Sequence, residues 1–118
     1  MCGIAGIISL ENKFIDKDLV LKMTDLISHR GPDGSGHFFS KQIGFGHRRL
    51  SIIDIKGGHQ PMSDFDESIW ITYNGEIYNF QVLRKKLINK GYKFKSNCDT
   101  EVIIYAYKEW GEKSFNLF

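Results

Sequence analysis

The sequence predicts an α+β fold with a largely antiparallel sheet and helices packed on one of its faces. The predicted elements follow the order β-α-β-β-β-α-α, which lacks the regular βαβ alternation of a parallel sheet. The 118 residues are enough for one small domain with a modest core, and 42% of them are hydrophobic, as in globular proteins. These observations indicate a single α+β unit over residues 1–118.

Charge and cysteine usage exclude several classes of partner. Sixteen basic and fourteen acidic residues are interspersed, and the net charge of +2 is too balanced for a nucleic-acid-binding surface. No stretch approaches the roughly twenty apolar residues of a membrane span, and the N-terminus lacks a signal-peptide pattern. Cys2 and Cys98 show neither a disulfide framework nor metal-ligand spacing. We therefore expect a cytoplasmic protein with no metal site and no membrane or nucleic-acid partner.

The first half of the chain is predicted to form a strand, a helix and two paired strands. "CGIAGIISL" is apolar, and its two glycines are typical of a buried strand with close backbone neighbours. A helix is predicted over residues 18–30, with Asp16 as its N-cap and Gly31-Pro32 as its stop. "RGPDGSG" predicts a turn, "HFFS" and "IGFGHRRLSIID" predict paired strands, and "GGHQPM" predicts a loop.

The second half is predicted to form one strand and two helices. "SIWITYNGEIYN" is typical of a strand that runs into Asn74-Gly75, and Asn79 is placed to cap a helix that ends near Gly91. A further helix is predicted over residues 100–110, with Asp99 as its cap and Gly111 as its stop. Two apolar stripes accompany these helices: Phe80, Leu83 and Leu87 on the first, and Val102, Ile103, Ala106, Tyr107 and Trp110 on the second.

Cys2 is the first candidate for chemistry. A buried structural thiol is out of place at a chain end, because chain ends fray. Removal of Met1 would leave a thiol and a free amine on one residue, which is a nucleophile with an adjacent base. The alternative, that some residue must stand second and this one is a cysteine, stays open from the N-terminus alone.

Asn74-Gly75 is the second candidate, and it also has two interpretations. Asn-Gly is the commonest short hairpin turn. However, the flanking residues do not alternate as a hairpin's should, and "EIYN" leads into a helix cap. The functional hypothesis is that the Asn74 amide and the Gly75 N–H are two convergent donors for the oxyanion of a tetrahedral intermediate.

Arg49 and Asp99 complete the set of candidates. An arginine in an apolar strand is usually an edge residue whose charged end reaches solvent, yet it is also suited to a two-pronged hold on a carboxylate. Asp99 has a sufficient role as a helix cap, yet a carboxylate kept ionised at a helix start also binds an ammonium group. Together with the thiol and the two donors, this pair fits a free amino acid with a side-chain carbonyl.

Six motifs occur in an order that identifies a resemblance. "MCGIAGII", "HRGPDGSG", "HRRLSIID", "GHQPM", "NGEIYN" and "SNCDTEVI" together cover nearly all of the chain. The sequence resembles the class II glutamine amidotransferases, and "HRRLSIID" and "NGEIYN" resemble the asparagine synthetase branch most. This family belongs to the N-terminal nucleophile hydrolases, so the resemblance implies a four-layer αββα sandwich with antiparallel sheets.

The resemblance also implies roles for individual residues. Cys2 would be the nucleophile once Met1 is removed, and Asn74 with Gly75 would form the oxyanion hole. Glu76 and Asp99 would bind the α-amino end of L-glutamine. The remaining contacts to glutamine would come from Arg49 and from the backbone of Leu50, Ser51, Ile52 and Ile53.

The chain departs from the family in two ways. Cys98 stands where the family usually has serine before Asp99, which places a second thiol beside a predicted site residue; we do not expect a bridge to Cys2. The ending "EKSFNLF" resembles an interrupted helix, so we expect residues 1–118 to be the N-terminal part of the glutaminase domain. The implied partner is an ATP-using synthetase domain that is absent here, so no cofactor is expected in this chain and ATP and Mg²⁺ only in that domain.

Two alternatives to a glutaminase stay open at this level. The chain could keep an amino-acid pocket without hydrolysis, as a binding module. It could also be a fragment that folds by pairing an exposed sheet edge with a second copy, so a homo-oligomer is among the expectations. "RGPDGSG" has two interpretations as well: a plain connection, or a lid that closes over bound glutamine through Gly34 and Gly36.

Overall fold

The computed structural model describes residues 1–51 and 56–118, and in these ranges it confirms a small α+β fold with antiparallel sheets. The described chain forms two compact units. The first contains Met1–Ser51, His59–Pro61 and Thr72–Gly75, and the second contains 56–58, Met62–Ile71 and Glu76–Phe118. The strands are β1 (Gly3–Ile8), β2 (Gly34–Phe39), β3 (Ile43–Arg49), β4 (Met62–Ser63) and β5 (Trp70–Ile71); the helices are α1 (Lys17–Leu26), α2 (Phe80–Asn89) and α3 (Asp99–Trp110).

The first unit is built on a three-stranded sheet in the order β1-β3-β2. Both pairings are antiparallel, and β3 is the central strand. The prediction of a buried first strand is wrong, because β1 lies at an edge of this sheet and alternates between covered and open positions. Ile4 and Ile8, which point to the open face, are 49% and 61% exposed.

Two glycines of β3 determine how α1 packs on the sheet. A Cβ atom at Gly46 would lie 1.8 Å from the Thr24 hydroxyl oxygen, and one at Gly44 would lie 2.5 Å from Ile15 Cδ1. The helix therefore approaches the central strand more closely than any side chain at these positions would permit. Arg48, on the same face of β3, donates through Nε to the Thr24 carbonyl (3.1 Å) and pairs with Asp25.

The ends of α1 agree with the predicted helix at its start and differ at its finish. The Leu19 N–H donates to the Asp16 carboxylate at 3.1 Å, which confirms the N-cap. The α-helix ends at Leu26 rather than at residue 30, because the chain tightens into a 3₁₀ turn over Ser28–Arg30.

The stretch "RGPDGSG" is a connection only in its first half. Gly34 and Gly36 belong to β2 and pair with Arg49 and His47 of β3. A Cβ atom at Gly36 would lie 2.0 Å from the Gln60 carbonyl oxygen, so the strand is also covered there. The lid interpretation is therefore wrong for Gly34 and Gly36, since both are fixed in a paired strand.

The second unit combines the short β4–β5 pair with α2 and α3, which pack against each other. Met62, predicted in a loop, belongs to β4, and the predicted strand before Asn74 is limited to Trp70–Ile71. Since the next element after Gly75 is α2, the hairpin interpretation of Asn-Gly is wrong. The core of this unit includes Leu83, Leu87, Val102, Ile104 and Ala106.

The helix ends of the second unit correct two predicted caps. Asn79 precedes α2 but makes no side-chain cap; its amide donates to the Leu117 carbonyl at 2.7 Å. Helix α3 begins at Asp99, with Cys98 in the cap position, so Asp99 is not the cap. The glycine stops are confirmed: Gly91 and Gly111 have φ values of 96° and 58°, where glycine is favoured.

The predicted inner stripe of α3 is only partly right, because this helix is buried on almost all sides from Asp99 to Ala106. Tyr107 is 41% exposed, whereas the charged Glu101 is 2% exposed. The Glu101 carboxylate accepts from the N–H groups of Lys95 (2.7 Å) and Ser96 (2.8 Å) and from the Ser96 hydroxyl (2.6 Å). Burial is thus balanced by hydrogen bonds to the preceding loop.

Asp64 is a second buried carboxylate of this unit, and it organises the β4–β5 turn. Its oxygens accept from the N–H groups of Ser68 (2.8 Å) and Ile69 (3.1 Å) and from the Lys108 ammonium group (2.8 Å). Burial alone raises the pKa of Asp64, but hydrogen bonds from Lys108 and Ser68 outweigh it and hold that pKa well below its usual range. Within residues 1–51 and 56–118, no helix has the length and apolarity needed to span a membrane.

We predict that Gly46→Ala lowers the free energy of unfolding by about 1–3 kcal/mol, because the new methyl group has no room against Thr24. Urea denaturation measures this change. Gly34→Ala is the matched control: a Cβ there has nothing within 4 Å, so we expect a neutral effect or a gain of about 0.5–1 kcal/mol. Equal stability of the two variants would contradict the close packing of α1 on β3.

Candidate active site

The Cys2 thiol lies at the point where β3 ends. The Leu50 N–H donates to Cys2 Sγ at 3.3 Å, and the thiol is 3.6 Å from the Leu50 carbonyl oxygen, to which it donates. On its other side, Arg30 Nε donates to the Cys2 carbonyl oxygen at 3.0 Å. The start of the chain is therefore held by residues 28 and 48 positions away, and Cys2 remains half-buried rather than sealed.

Arg49 is the last residue of the central strand and is 8% exposed. The interpretation of Arg49 as an edge residue reaching solvent is therefore wrong, because β3 has a strand on each side and the side chain is covered. The Asp33 N–H donates to the Arg49 carbonyl at 3.0 Å, and the Asp33 carboxylate accepts from the Ser51 N–H at 2.8 Å. The connection before β2 thus follows the end of β3 and fixes the backbone beside Cys2.

Asn74 and Gly75 belong to the same compact unit as Cys2, in an exposed loop after β5. The chain leading to them is fixed by two hydrogen bonds inside that unit. Thr72 Oγ1 lies 3.0 Å from His47 Nδ1, and the Tyr73 N–H donates to Gln60 Oε1 at 2.6 Å. Gly75 packs against the preceding ring, since a Cβ there would lie 2.4 Å from the Tyr73 hydroxyl oxygen.

His47 is the residue of this region that the sequence reasoning missed. Its side chain is fully buried in β3, and burial together with the neighbouring Arg49 charge lowers its pKa to about 4. The imidazole is therefore neutral at pH 7. The spacing of His47 and Arg49, two residues apart on one strand, was the available signal, because it predicts side chains on the same face. Thr72 and Gln60 carried no such signal.

Glu76 and Asp99 belong to the second unit. The Asp99 side chain is 4% exposed, and its carboxylate accepts from the Ile77 N–H (2.8 Å) and the Thr100 N–H (2.8 Å). Asp99 thereby fixes the backbone two residues after Gly75, while Glu76 is exposed. A carboxylate that accepts one backbone bond per oxygen retains lone pairs for a further donor.

Ile52 and Ile53, predicted to line the substrate site, lie outside the described residues. Cys2 and Cys98 are both free thiols, and burial raises the pKa of Cys98. Among the residues that the structure describes, no group of three or more histidine, cysteine, aspartate or glutamate side chains converges as a metal site would require.

Comparison with known proteins identifies the family. The family model of the glutamine amidotransferase domain matches residues 1–118. The chain belongs to this family. The resemblance that the six ordered motifs indicated is therefore confirmed at the level of the family.

Curated relatives of this amidotransferase domain are asparagine synthetases. The chain is 44% identical over 117 residues to "Asparagine synthetase [glutamine-hydrolyzing] 1" of Bacillus subtilis, which covers 97% of this chain and 18% of that protein. It is 42% identical over 115 residues to synthetase 3 of the same organism, and the match covers 95% of this chain and 19% of that protein. It is 36% identical over 118 residues to synthetase 2 of Arabidopsis thaliana, and the match covers 99% of this chain and 20% of that protein. The chain thus spans about a fifth of the length of these relatives.

The buried, neutral His47 predicts a pH dependence of stability. Its folded pKa of about 4 lies below the usual histidine pKa of 6.5, so the folded state resists protonation that the unfolded state accepts. This penalty vanishes well above pH 6.5 and grows as the pH falls to 4, where it reaches about 3 kcal/mol. Urea denaturation at several pH values measures it.

The variant His47→Gln should flatten the decline of the unfolding free energy between pH 6.5 and pH 4. His59→Gln, at an exposed position, is the control for the loss of one titratable imidazole. The same flattening in both variants would contradict the assignment of this pH dependence to His47.

Proposed function

We propose that this domain hydrolyses L-glutamine to glutamate and ammonia, with the Cys2 thiol as nucleophile. The observation that carries the proposal is the placement of Cys2 against the Leu50 backbone, in the same compact unit as Asn74-Gly75. Acyl transfer requires a nucleophile and donors for the oxyanion, and this unit contains a candidate for each. The family match supplies the substrate class.

The proposed nucleophile depends on removal of Met1. The freed α-amine of Cys2 then serves as general base for its own thiol, since an α-amine titrates near 7.7–8.0, close to working pH. While Met1 is attached, the same nitrogen is an amide and cannot accept a proton. Met1 is 77% exposed, so a peptidase has access to it.

The proposed reaction proceeds through a thioester. The sulfur attacks the side-chain amide carbon of glutamine as the amine takes the thiol proton. The Asn74 amide and the Gly75 N–H stabilise the resulting oxyanion. The C–N bond then breaks, the leaving nitrogen takes the proton and departs as ammonia, and water hydrolyses the γ-glutamyl thioester to glutamate and free thiol.

The proposed binding of glutamine uses both charged ends of the molecule. Arg49 pairs with the α-carboxylate, since a guanidinium group matches a carboxylate with two donors. The backbone of Leu50 and Ser51, which follows Arg49 directly, would line the site, as the resemblance implies. The resemblance assigns the α-ammonium group to Glu76 and Asp99, and within the second unit the Asp99 carboxylate is already fixed by backbone N–H donors.

For the whole protein, we propose an amidotransferase like the glutamine-hydrolysing synthetases that the chain matches. The domain would complete the αββα sandwich of N-terminal nucleophile hydrolases and work in the cytoplasm. Ammonia would pass to a synthetase domain that activates an acceptor carboxylate with ATP and Mg²⁺. No step proposed for residues 1–118 uses either of these cofactors.

The nucleophile is tested by release of ammonia and glutamate from glutamine. We expect Cys2→Ala to reduce both products to background, because the other thiol of the chain, Cys98, is buried and cannot replace the nucleophile. Intact-mass analysis should show wild-type protein without Met1 and, under turnover, a fraction carrying a glutamyl adduct that is absent from Cys2→Ala. A processed protein that binds glutamine without releasing ammonia would instead identify an amino-acid-binding module.

The oxyanion donors are tested by Asn74→Ala. We expect kcat to fall by about a hundred- to a thousandfold with a smaller change in KM, because this donor acts on charge that develops during the reaction. Asn89→Ala, at the exposed end of α2, is the matched control and should leave kcat within about twofold. An unchanged kcat in Asn74→Ala would overturn the assignment.

A further inference from the structure

His47 occupies a position that packing alone does not explain. Its side chain is 0% exposed in the central strand of the first unit. Nε2 is buried with no hydrogen-bond partner in the part of the chain that the structure describes. An apolar side chain would fill this space without burying a polar atom, so the feature that distinguishes a histidine here is the contact of its other nitrogen, Nδ1, with Thr72.

That other nitrogen meets the segment that leads to Asn74. His47 Nδ1 lies 3.0 Å from the Thr72 hydroxyl oxygen. With the imidazole neutral, Nδ1 is able to accept the hydroxyl proton or, in the other tautomer, to donate to the oxygen. Protonation would remove the acceptor, and burial next to the Arg49 charge disfavours protonation.

The next residue along the segment has its own anchor. The Tyr73 N–H donates to Gln60 Oε1 at 2.6 Å, and Gln60 lies over β2, where its carbonyl meets the face of Gly36. Gly36 and His47 are register partners in the sheet. Two consecutive residues before Asn74 are therefore tied to one small area of the β2–β3 surface.

We propose that His47, acting through Thr72, is a positioning residue that sets the location of the Asn74 and Gly75 donors relative to Cys2. The inference rests on the proposed function for the role of those donors. Its physical basis is that Thr72 is two residues from Asn74, so a shift of the Thr72 anchor moves both donors. In catalysis, a misplacement of about 1 Å costs on the order of a hundredfold in rate.

Thr72→Val removes the hydroxyl and keeps the side-chain shape, and Thr72→Ser keeps the hydroxyl. All proteins are compared after removal of Met1. We expect Thr72→Val to lower kcat for glutamine by about ten- to a hundredfold relative to wild type, with KM within about threefold. Thr72→Ser should restore kcat to within about threefold of wild type. His47→Gln should resemble Thr72→Val, and the double variant should be no worse than either single variant, since both break one interaction.

Two readouts separate positioning from a loss of structure. Amide hydrogen exchange of the 72–75 segment should quicken in Thr72→Val and return towards wild type in Thr72→Ser. Alkylation of Cys2 by iodoacetamide should keep its rate in all variants, because the nucleophile itself is untouched.

Three results would overturn the positioning role. They are faster exchange in Thr72→Val with an unchanged kcat, an equal loss of kcat in Thr72→Val and Thr72→Ser, or unchanged exchange in Thr72→Val. A wild-type protein that is alkylated at Cys2 but releases no ammonia would refute the proposed function instead. In that case the exchange comparison still decides whether His47 and Thr72 hold the segment.

Discussion

The alternation of the central strand β3 is the constraint on which the first unit depends. On one face, Gly44 and Gly46 present only hydrogen atoms, so α1 lies directly against the strand. On the other face lie His47 and Arg49, whose side chains are both buried. Because side chains alternate along a strand, the same seven residues supply a helix-packing surface and a row of polar groups. A slip of one residue in register would exchange these two surfaces.

The candidate site lies at the end of β3. Where β3 ends, the Leu50 backbone meets the Cys2 thiol, and the connection at Asp33 fixes the next amide, that of Ser51. The chain start is therefore held by backbone groups that no longer belong to the ladder. This arrangement leaves Cys2 half-buried, which is compatible with both an ordered position and access by a small molecule.

In the second unit, buried carboxylates fix the neighbouring loops by hydrogen bonds to their backbone. Glu101 binds the loop before α3, Asp64 binds the β4–β5 turn, and Asp99 binds the backbone at Ile77. Each of these carboxylates accepts at least two hydrogen bonds, which compensate for the water that a buried charge loses. Loops that the sequence marks only as polar are thus held by acidic residues of the core.

Local sequence patterns predicted most of the helices and strands, and the ordered motifs predicted the family. Asp16, Gly91 and Gly111 acted as cap and stops because their effects depend on a few neighbouring residues. Local reasoning failed where a distant partner competed for the same group, as for Asn79, which binds Leu117 instead of capping its helix. It failed for Arg49 because an isolated strand pattern does not reveal whether the strand is central or at an edge.

The sequence by itself therefore determined the α+β class, the glycine stops of α2 and α3, and the family. These properties follow from short-range sterics and from motif chemistry. Only the tertiary structure decided that Cys2 contacts Leu50, that His47 contacts Thr72 and that Asp99 serves the backbone at Ile77. Such contacts join residues 48, 25 and 22 positions apart, and they depend on sheet register and burial, which no local pattern encodes.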